Sequence, residues 1–529
     1  MPSSFTIAGV YALPGYGKVS TDLVSHTRRH IDNAHKRKSL KEHPVPLKTK
    51  HTTRKSLAWS FSQQFGQYGL QFIGSVFIAR LLTPDEVGIF ALAMAANFFI
   101  SSIRDFGVGT YLVREQHINE DKVRTAYGIW IIVSWTLGLI LVLSRNWLAD
   151  AYDSPGIAEV IVLLSVSFFL GPFGAPAQSM LMREMRFDIL HHVTLTAAAV
   201  GTVTSVGLAF NGFSYMSLAW GMIAAAIFRL ILLLWAYPNH LKLLPGLRYW
   251  RDVVNFGGFV TGASLVGTAS NEGPKFILGA LINPAGVALF ERAVQIPTIV
   301  RQGIFGPLGR VLLPSFSRDI RNGDSIGTSV EKLVAVNTVI VWPAFVTVGL
   351  LAEPIIVMLF GENWRIAGQM LPYILISQGI LALLPQPDQI LLPHGEAKRL
   401  FFTRFTATSV NLAVTTLGAA HSLMMFAMLR PAQSVIAVLI FFYAIRKFWQ
   451  TNLRRLRPIY MRSAEVVALS ALPAVTATFL YDDGVPVTAL FSVAITAPLF
   501  WVAAVFVVRH PLAAEIRLLL KSAINLTKR

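Results

Sequence analysis

The chain has 529 residues, 54% of them hydrophobic and only 14% charged, and it has no cysteine. Soluble domains carry about 25% charged residues, so most of this surface is solvated by lipid, in keeping with a mean hydropathy of +0.55. The net charge of +18 does not mark a nucleic-acid binder, because Lys and Arg fall between apolar segments and in the tails instead of along one motif; zero cysteines exclude disulfides and thiolate metal sites.

Residues 1–55 are polar and basic, with HKRK at 35–38 and no apolar core of the kind a secretory signal needs. They predict a disordered cytoplasmic tail that either touches anionic headgroups or only fixes topology. A bilayer core takes roughly 20 apolar residues per helical span. On that ruler, spans are expected near 56–82, 86–112, 125–144, 157–181, 189–210 and 214–236, giving an N-terminal six-helix lobe over 56–236. A basic amphipathic connector, HLKLLPGLRYWRDVV, begins at the 237–252 boundary segment. Spans near 253–279, 285–313, 329–351, 367–392, 402–420 and 423–445 give a second six-helix lobe over 253–445. Two further spans, near 464–481 and 486–508, fall in 446–508, and the basic tail 509–529 reads as an amphipathic surface helix. The expected fold is an all-α integral membrane protein of about 14 transmembrane helices.

Loop charge supports this count. One set of loops holds Arg114, Lys122, Arg124, Arg183, Arg186, Lys242, Arg248, Arg251, Arg318, Arg321, Lys398, Arg399, Arg446 and Lys447. The alternate set, with TPDE, NGFS, INPAG and YDDGVP, is nearly free of Lys and Arg, apart from Arg145 and Arg365. The positive-inside rule then puts both termini in the cytoplasm.

The stretch FIARLLTPDEVGIF at 77–90 has a counterpart, ILGALINPAGVALF, at 277–290. A shift of 200 aligns Pro84 with Pro284, Val87 with Val287 and Phe90 with Phe290. The phrase joins spans one and two, then spans seven and eight. Six spans per half is an even number, so the halves share one orientation, the parallel kind of transporter repeat.

The helix before each phrase carries a polar stripe: Ser60, Gln64, Gln67 and Gln71 in the first, Thr261, Ser264, Thr268 and Asn271 in the seventh, with Glu272 and Lys275 beside them. Polar side chains facing lipid are costly. The stripes serve either interhelical hydrogen bonding or a shared central cavity; equivalent positions in the two halves favour the cavity. Charges inside the spans include Arg104, Asp105, Arg229, Glu272, Lys275, Glu291, Arg292, Arg301, Arg310 and Arg430. Each costs roughly 3 kcal/mol or more unless paired or hydrated. Glu272 and Lys275, three apart, share a helical face. Arg292 is next to Glu291, but sequence neighbours diverge on a helix, and Arg301 has no partner in its own span. These two arginines are available for an anionic ligand. Pro297, Gly303, Gly306, Pro307 and Gly309 interrupt the eighth span, and Gly171, Pro172, Gly174 and Pro176 the fourth. Gly258 and Gly262 form a GxxxG. There is no Walker phosphate loop, HExxH or Ser–His–Asp pattern, and the reading calls for no cofactor, metal or catalytic residue.

ARLLTPDEVGIFALA (79–93), RDFGVGTYLVRE (104–115), LMREMRF (181–187), ERAVQIP (291–297) and GRVLLPSFSR (309–318) resemble the bacterial polysaccharide flippases of the multidrug/oligosaccharidyl-lipid/polysaccharide exporter superfamily. The resemblance covers about residues 55–450 and implies two six-helix bundles, usually with two more helices, around a cationic cavity. It implies a substrate on an undecaprenyl diphosphate carrier, an oligosaccharide repeat unit for exopolysaccharide, O-antigen or lipopolysaccharide. Arg292 matches a position where the family commonly has arginine. The sequence NEGPKF at 271–276 departs from the family, which often has an acidic residue about three positions after the asparagine.

The expectation is a flippase of the bacterial inner membrane, not an enzyme, with Arg292, Arg301, Lys275, Glu272, Gln64, Gln67, Gln71, Asn271 and Arg104 as cavity candidates. Its partners would be the lipid-linked oligosaccharide, membrane lipid, and a polysaccharide polymerase with its export machinery. The alternatives are a drug/cation antiporter of the same fold, which should have an acidic cavity, and a membrane polymerase or glycosyltransferase, which needs a large outer or carboxylate-bearing loop.

Overall fold

A computed structural model of the chain describes residues 53–104, 108–109, 112, 119–238, 244–301, 326–448, 453–481 and 484–513, with side chains from residue 66 onward apart from 252–260 and a few neighbours. The helices are α1 Thr53–Leu81, α2 Pro84–Arg104, α3 Glu120–Leu143, α4 Arg145–Ala151, α5 Pro155–Arg183, α6 Phe187–Phe210, α7 Met216–Ala236, α8 Trp250–Leu281 and α9 over 284–301. They continue with α10 Ile326–Leu350, α11 Ala352–Phe360, α12 Arg365–Leu381, α13 Pro387–Leu391, α14 Ala397–Ala419, α15 Leu423–Ile445, α16 Leu453–Ser470, α17 Leu472–Leu480 and α18 Val487–Val507. No strand occurs among the described residues. Nine helices among them are long and apolar enough to cross a membrane. The helices that miss that test include α1, α8 and α9, which carry the polar stripes and charges.

The repeated phrase is a helix start. Thr83 N–H donates to Glu86 Oε2 at 2.7 Å while Glu86 N–H reaches back to Thr83 Oγ1 at 3.4 Å, a reciprocal capping box, and Pro84 opens α2. In the second half, Gly286 N–H donates to Asn283 Oδ1 at 2.8 Å, and Pro284 opens α9. The repeat goes further than the sequence reading. A short helix, α4 or α11, follows the third long helix of each half, and α11 lies between the spans expected near 329–351 and 367–392. Arg365, an exception to the loop-charge rule, is ion-paired to Glu353 and, at 2.8 Å, to Glu362.

The expected breaks at Pro172 and Pro176 and at Pro297 need correction. The fourth span is one continuous helix, α5, through Pro172 and Pro176; in the eighth span α9 runs unbroken through Pro297 to 301, and the expected break at Gly303, Gly306, Pro307 and Gly309 lies outside the described residues. Among the described residues an interruption falls in the tenth span. There Pro385 and Pro387 disfavour helix in the preceding residues, and α12 and α13 separate. The freed carbonyls of Ala382 and Leu383 accept from Asn337 Nδ2 at 2.8 Å and Tyr460 Oη at 2.7 Å. A Cβ at Gly262 would meet nothing within 4 Å, while the packing around Gly258 lies outside the described residues. The tails 1–52 and 514–529 lie outside the described residues, as do connector residues 239–243.

The largest buried apolar cluster joins both halves. It includes Ile78, Leu92 and Phe168 from the first and Leu278, Phe290, Phe360, Trp364 and Ile374 from the second. It lies toward the end of the bundle that carries the TPDE and INPAG turns, called here the outer end. Gly88 makes this contact possible: a Cβ there would fall 3.0 Å from Ala285 N and closer still to the Pro284 carbonyl. Helices α16 to α18 pack on α10 and α11 through Ala474, Leu490 and Val493 against Leu351, and Val466 and Val505 against Val339. Thr338 and Ser463 hydroxyls bond at 2.9 Å across that seam.

Candidate functional site

A cavity of about 890 Å³ lies between the two halves. It is walled by α1, α6 and α7 from the first half, by α8, α9, α12 and α15 from the second, and by the start of α2. Of the polar stripe of α8 only Asn271 is among the lining residues, together with the neighbouring Glu272 and Lys275, while Thr261, Ser264 and Thr268 are not; Gln71 of α1 also lines the cavity. Gln67 is half-buried and is not among the lining residues; the Gln64 side chain lies outside the described residues.

Arg104 is not part of the wall. It follows the lining residue Phe90 by 14 positions, about 21 Å along the helix, and its guanidinium stands 5.0 Å over the Phe168 ring within the first half. A helical charge read from sequence carries no depth or azimuth, and those two coordinates exclude it.

The cationic residues sit in two kinds of setting. Lys275 is fully engaged: its ammonium pairs with Glu272 at 2.8 Å and also with Glu291. Glu291 therefore serves Lys275 on α8, not its neighbour Arg292. Among the described residues the three arginines hydrogen-bond only to amide oxygens. Arg292 Nη1 donates to Gln295 Oε1 at 2.9 Å, Arg301 Nη1 to Gln378 Oε1 at 2.9 Å, and Arg430 Nη1 to Asn411 Oδ1 at 2.6 Å. Among the described residues no carboxylate lies within ion-pair distance of any of them. Buried Nε atoms of Arg292 and Arg430 have no hydrogen-bond partner there. With two carboxylates against four cations, the described lining has a net charge of +2.

Aromatic rings share the load of holding these guanidiniums. Arg292 is 8% exposed and lies 4.8 Å from the Trp364 ring and 5.0 Å from Phe360. Arg430 lies 5.7 Å from Phe290 and 5.5 Å from Phe426. Such contacts are worth about 2 kcal/mol when desolvated, enough to offset much of a cation's burial without neutralising it. Asn411 is fixed in turn by donating Nδ2 to Ser270 O at 3.0 Å. Sequence reading counted Arg430 among embedded charges but did not place it in the cavity. The signal was Pro431 beside it and Asn411 on the preceding helix, which only packing brings into register.

Arg292 also connects the halves. Its partner Gln295 donates Nε2 to Ser75 Oγ on α1 at 2.8 Å. Trp364, beneath the guanidinium, donates Nε1 to Ala79 O at 2.8 Å, and Arg80 caps the end of α11 at Leu359 O (3.2 Å) and Met358 O. The cavity's buried cation thus rests on the residues that close the outer end.

Two repeated helical bundles flanking a polar cavity, plus two added helices, define a multi-pass membrane protein built on parallel transporter repeats. Residues 77–368 match the model of the polysaccharide biosynthesis protein family, and the chain belongs to that family. It is 23% identical over 389 residues, 73% of this chain and 78% of the relative, to the succinoglycan biosynthesis transport protein ExoT of Rhizobium meliloti (strain 1021). It is 19% identical over 302 residues, 56% of this chain and 61% of the relative, to the lipopolysaccharide biosynthesis protein WzxC of Escherichia coli (strain K12). Its fold is similar to that of the lipid II flippase MurJ in an inward closed conformation, with a TM-score of 0.68 at 11% identity over 86% of this chain and 99% of that one.

Proposed function

We propose that the chain is a flippase that carries an undecaprenyl-diphosphate-linked oligosaccharide repeat unit across the bacterial inner membrane, for exopolysaccharide or lipopolysaccharide synthesis. It is a transporter and not an enzyme, and its relatives' names point the same way. The observation that carries the reading is the set of three cavity guanidiniums whose hydrogen bonds, among the described residues, go only to amide oxygens. A diphosphate cannot enter hydrocarbon unpaired. Guanidiniums whose partners are neutral give up little when they turn to phosphate, and each gains charge-assisted hydrogen bonds. The prenyl tail stays in lipid, leaving through a lateral opening, while the halves alternately expose the headgroup to either side. Both termini face the cytoplasm in this scheme, and a polymerase with its export machinery takes up the product.

A drug/cation antiporter of the same fold needs free carboxylates in its cavity; here both are bound by Lys275. The test is complementation of a flippase-deficient strain. Arg292→Ala and Arg301→Ala are expected to abolish polymer export at wild-type membrane levels. Full export by both variants sinks the cavity role.

A further inference from the structure

The cavity is chemically two-faced. Every charged residue of its described lining, Glu272, Lys275, Glu291, Arg292, Arg301 and Arg430, comes from the second half of the chain. The first half contributes none. Its wall is neutral and polar, with Gln71, Thr202 and Ser205 beside the ring of Tyr68. Gln71, Thr202 and Ser205 line the cavity, and among the described residues no hydrogen bond engages their side chains, so their donors and acceptors are unspent. The wall is brought inward by close helix packing: a Cβ at Gly201 would stand 2.9 Å from Gly221 O, and one at Gly74 2.5 Å from Thr202 Cγ2.

A lipid-linked oligosaccharide headgroup has the same two chemistries, an anionic diphosphate and neutral, hydroxyl-rich sugars. We propose that the two lobes divide it: the phosphates ride on the second lobe, and the sugars are read by the first, with Gln71, Thr202 and Ser205 as specificity-determining residues. The assignment rests on the phosphorylated glycolipid reading above. Cations on one lobe alone let the phosphates stay bound as the lobes rock, because no charge pair has to be exchanged across the moving interface. Amides and hydroxyls suit the other role, since neutral hydrogen bonds, worth about 1 kcal/mol net each, can be made and released with the sugars at low cost. Sugar preference then depends on side chains that carry no charge.

The experiment measures binding of two probes to the full chain in nanodiscs: undecaprenyl diphosphate without sugar, and the lipid-linked oligosaccharide extracted from the producing strain. Wild type is expected to bind both, the second more tightly. Making the first-lobe wall apolar, by Gln71→Leu alone or by Thr202→Val with Ser205→Ala, should leave the sugarless probe within about twofold. It should also remove about tenfold or more of the affinity for the oligosaccharide probe, as expected for a few lost hydrogen bonds. Arg292→Met and Arg430→Met should weaken both probes alike. Equal losses for both probes in the wall variants, or no loss for either, overturn the division. Failure of wild type to bind the sugarless diphosphate overturns instead the reading of the ligand on which it rests.

Discussion

Gly88→Ala should unlock the outer end. The added methyl would press on the Pro284 carbonyl and on Ala285 N, 3.0 Å away, both backbone atoms of the opposing helix start. Neither can rotate aside, so α2 and α9 must part by on the order of 1 Å to restore normal contact. Overpacking of this kind costs about 1–3 kcal/mol. The strain exists only while the outer end is closed, so it shifts the equilibrium toward outer-open by roughly 5- to 150-fold. The absence of native cysteine gives a clean readout. Ala288 lines the cavity and is 0% exposed. In an Ala288→Cys background, a membrane-impermeant maleimide added from outside should label slowly, and Gly88→Ala should speed labelling by about fivefold or more on the same arithmetic. Equal labelling rates at equal protein levels would refute the packing argument, and faster labelling only from the cytoplasmic side would refute the assigned orientation.

Lys275→Met should destabilise the protein by about 3 kcal/mol or somewhat more, because Glu272 and Glu291 would be left without their shared cation in a mostly buried setting. Adding Glu272→Gln and Glu291→Gln should restore most of the melting temperature in detergent; a single variant that melts like wild type contradicts the triad. His510 offers a pH test outside the spans. It is buried beyond α18, with Nδ1 accepting from Leu512 N–H at 3.2 Å and Nε2 3.3 Å from Ser463 Oγ. Burial, then the nearby Arg462, push its pKa from the ordinary 6.5 down to about 4. The folded imidazole is neutral while the unfolded chain takes up a proton, so this stability is present above pH 6.5 and lost as pH falls toward 4. Thermal unfolding should show a drop in melting temperature across that window that His510→Gln flattens; an unchanged drop in the variant removes His510 as its source.

The helices and their repeat were legible in the sequence, because each is set by short-range physics. Twenty-odd apolar residues must be helical in lipid. Thr83-Pro84 and Asn283-Pro284 cap and start helices by themselves, and three-residue spacing alone places Glu272 beside Lys275. What only tertiary structure decided is which embedded charges share a chamber. Arg104 and Arg430 read alike in sequence; helix depth and rotation put the first over Phe168 and the second in the cavity. Likewise, Glu291 finds Lys275 instead of Arg292, and Arg301 finds Gln378 from a helix 77 residues away. Helix rotation is fixed where backbones touch, as at Gly88 and Pro284. Contacts between residues so distant in the chain leave no periodic trace in it.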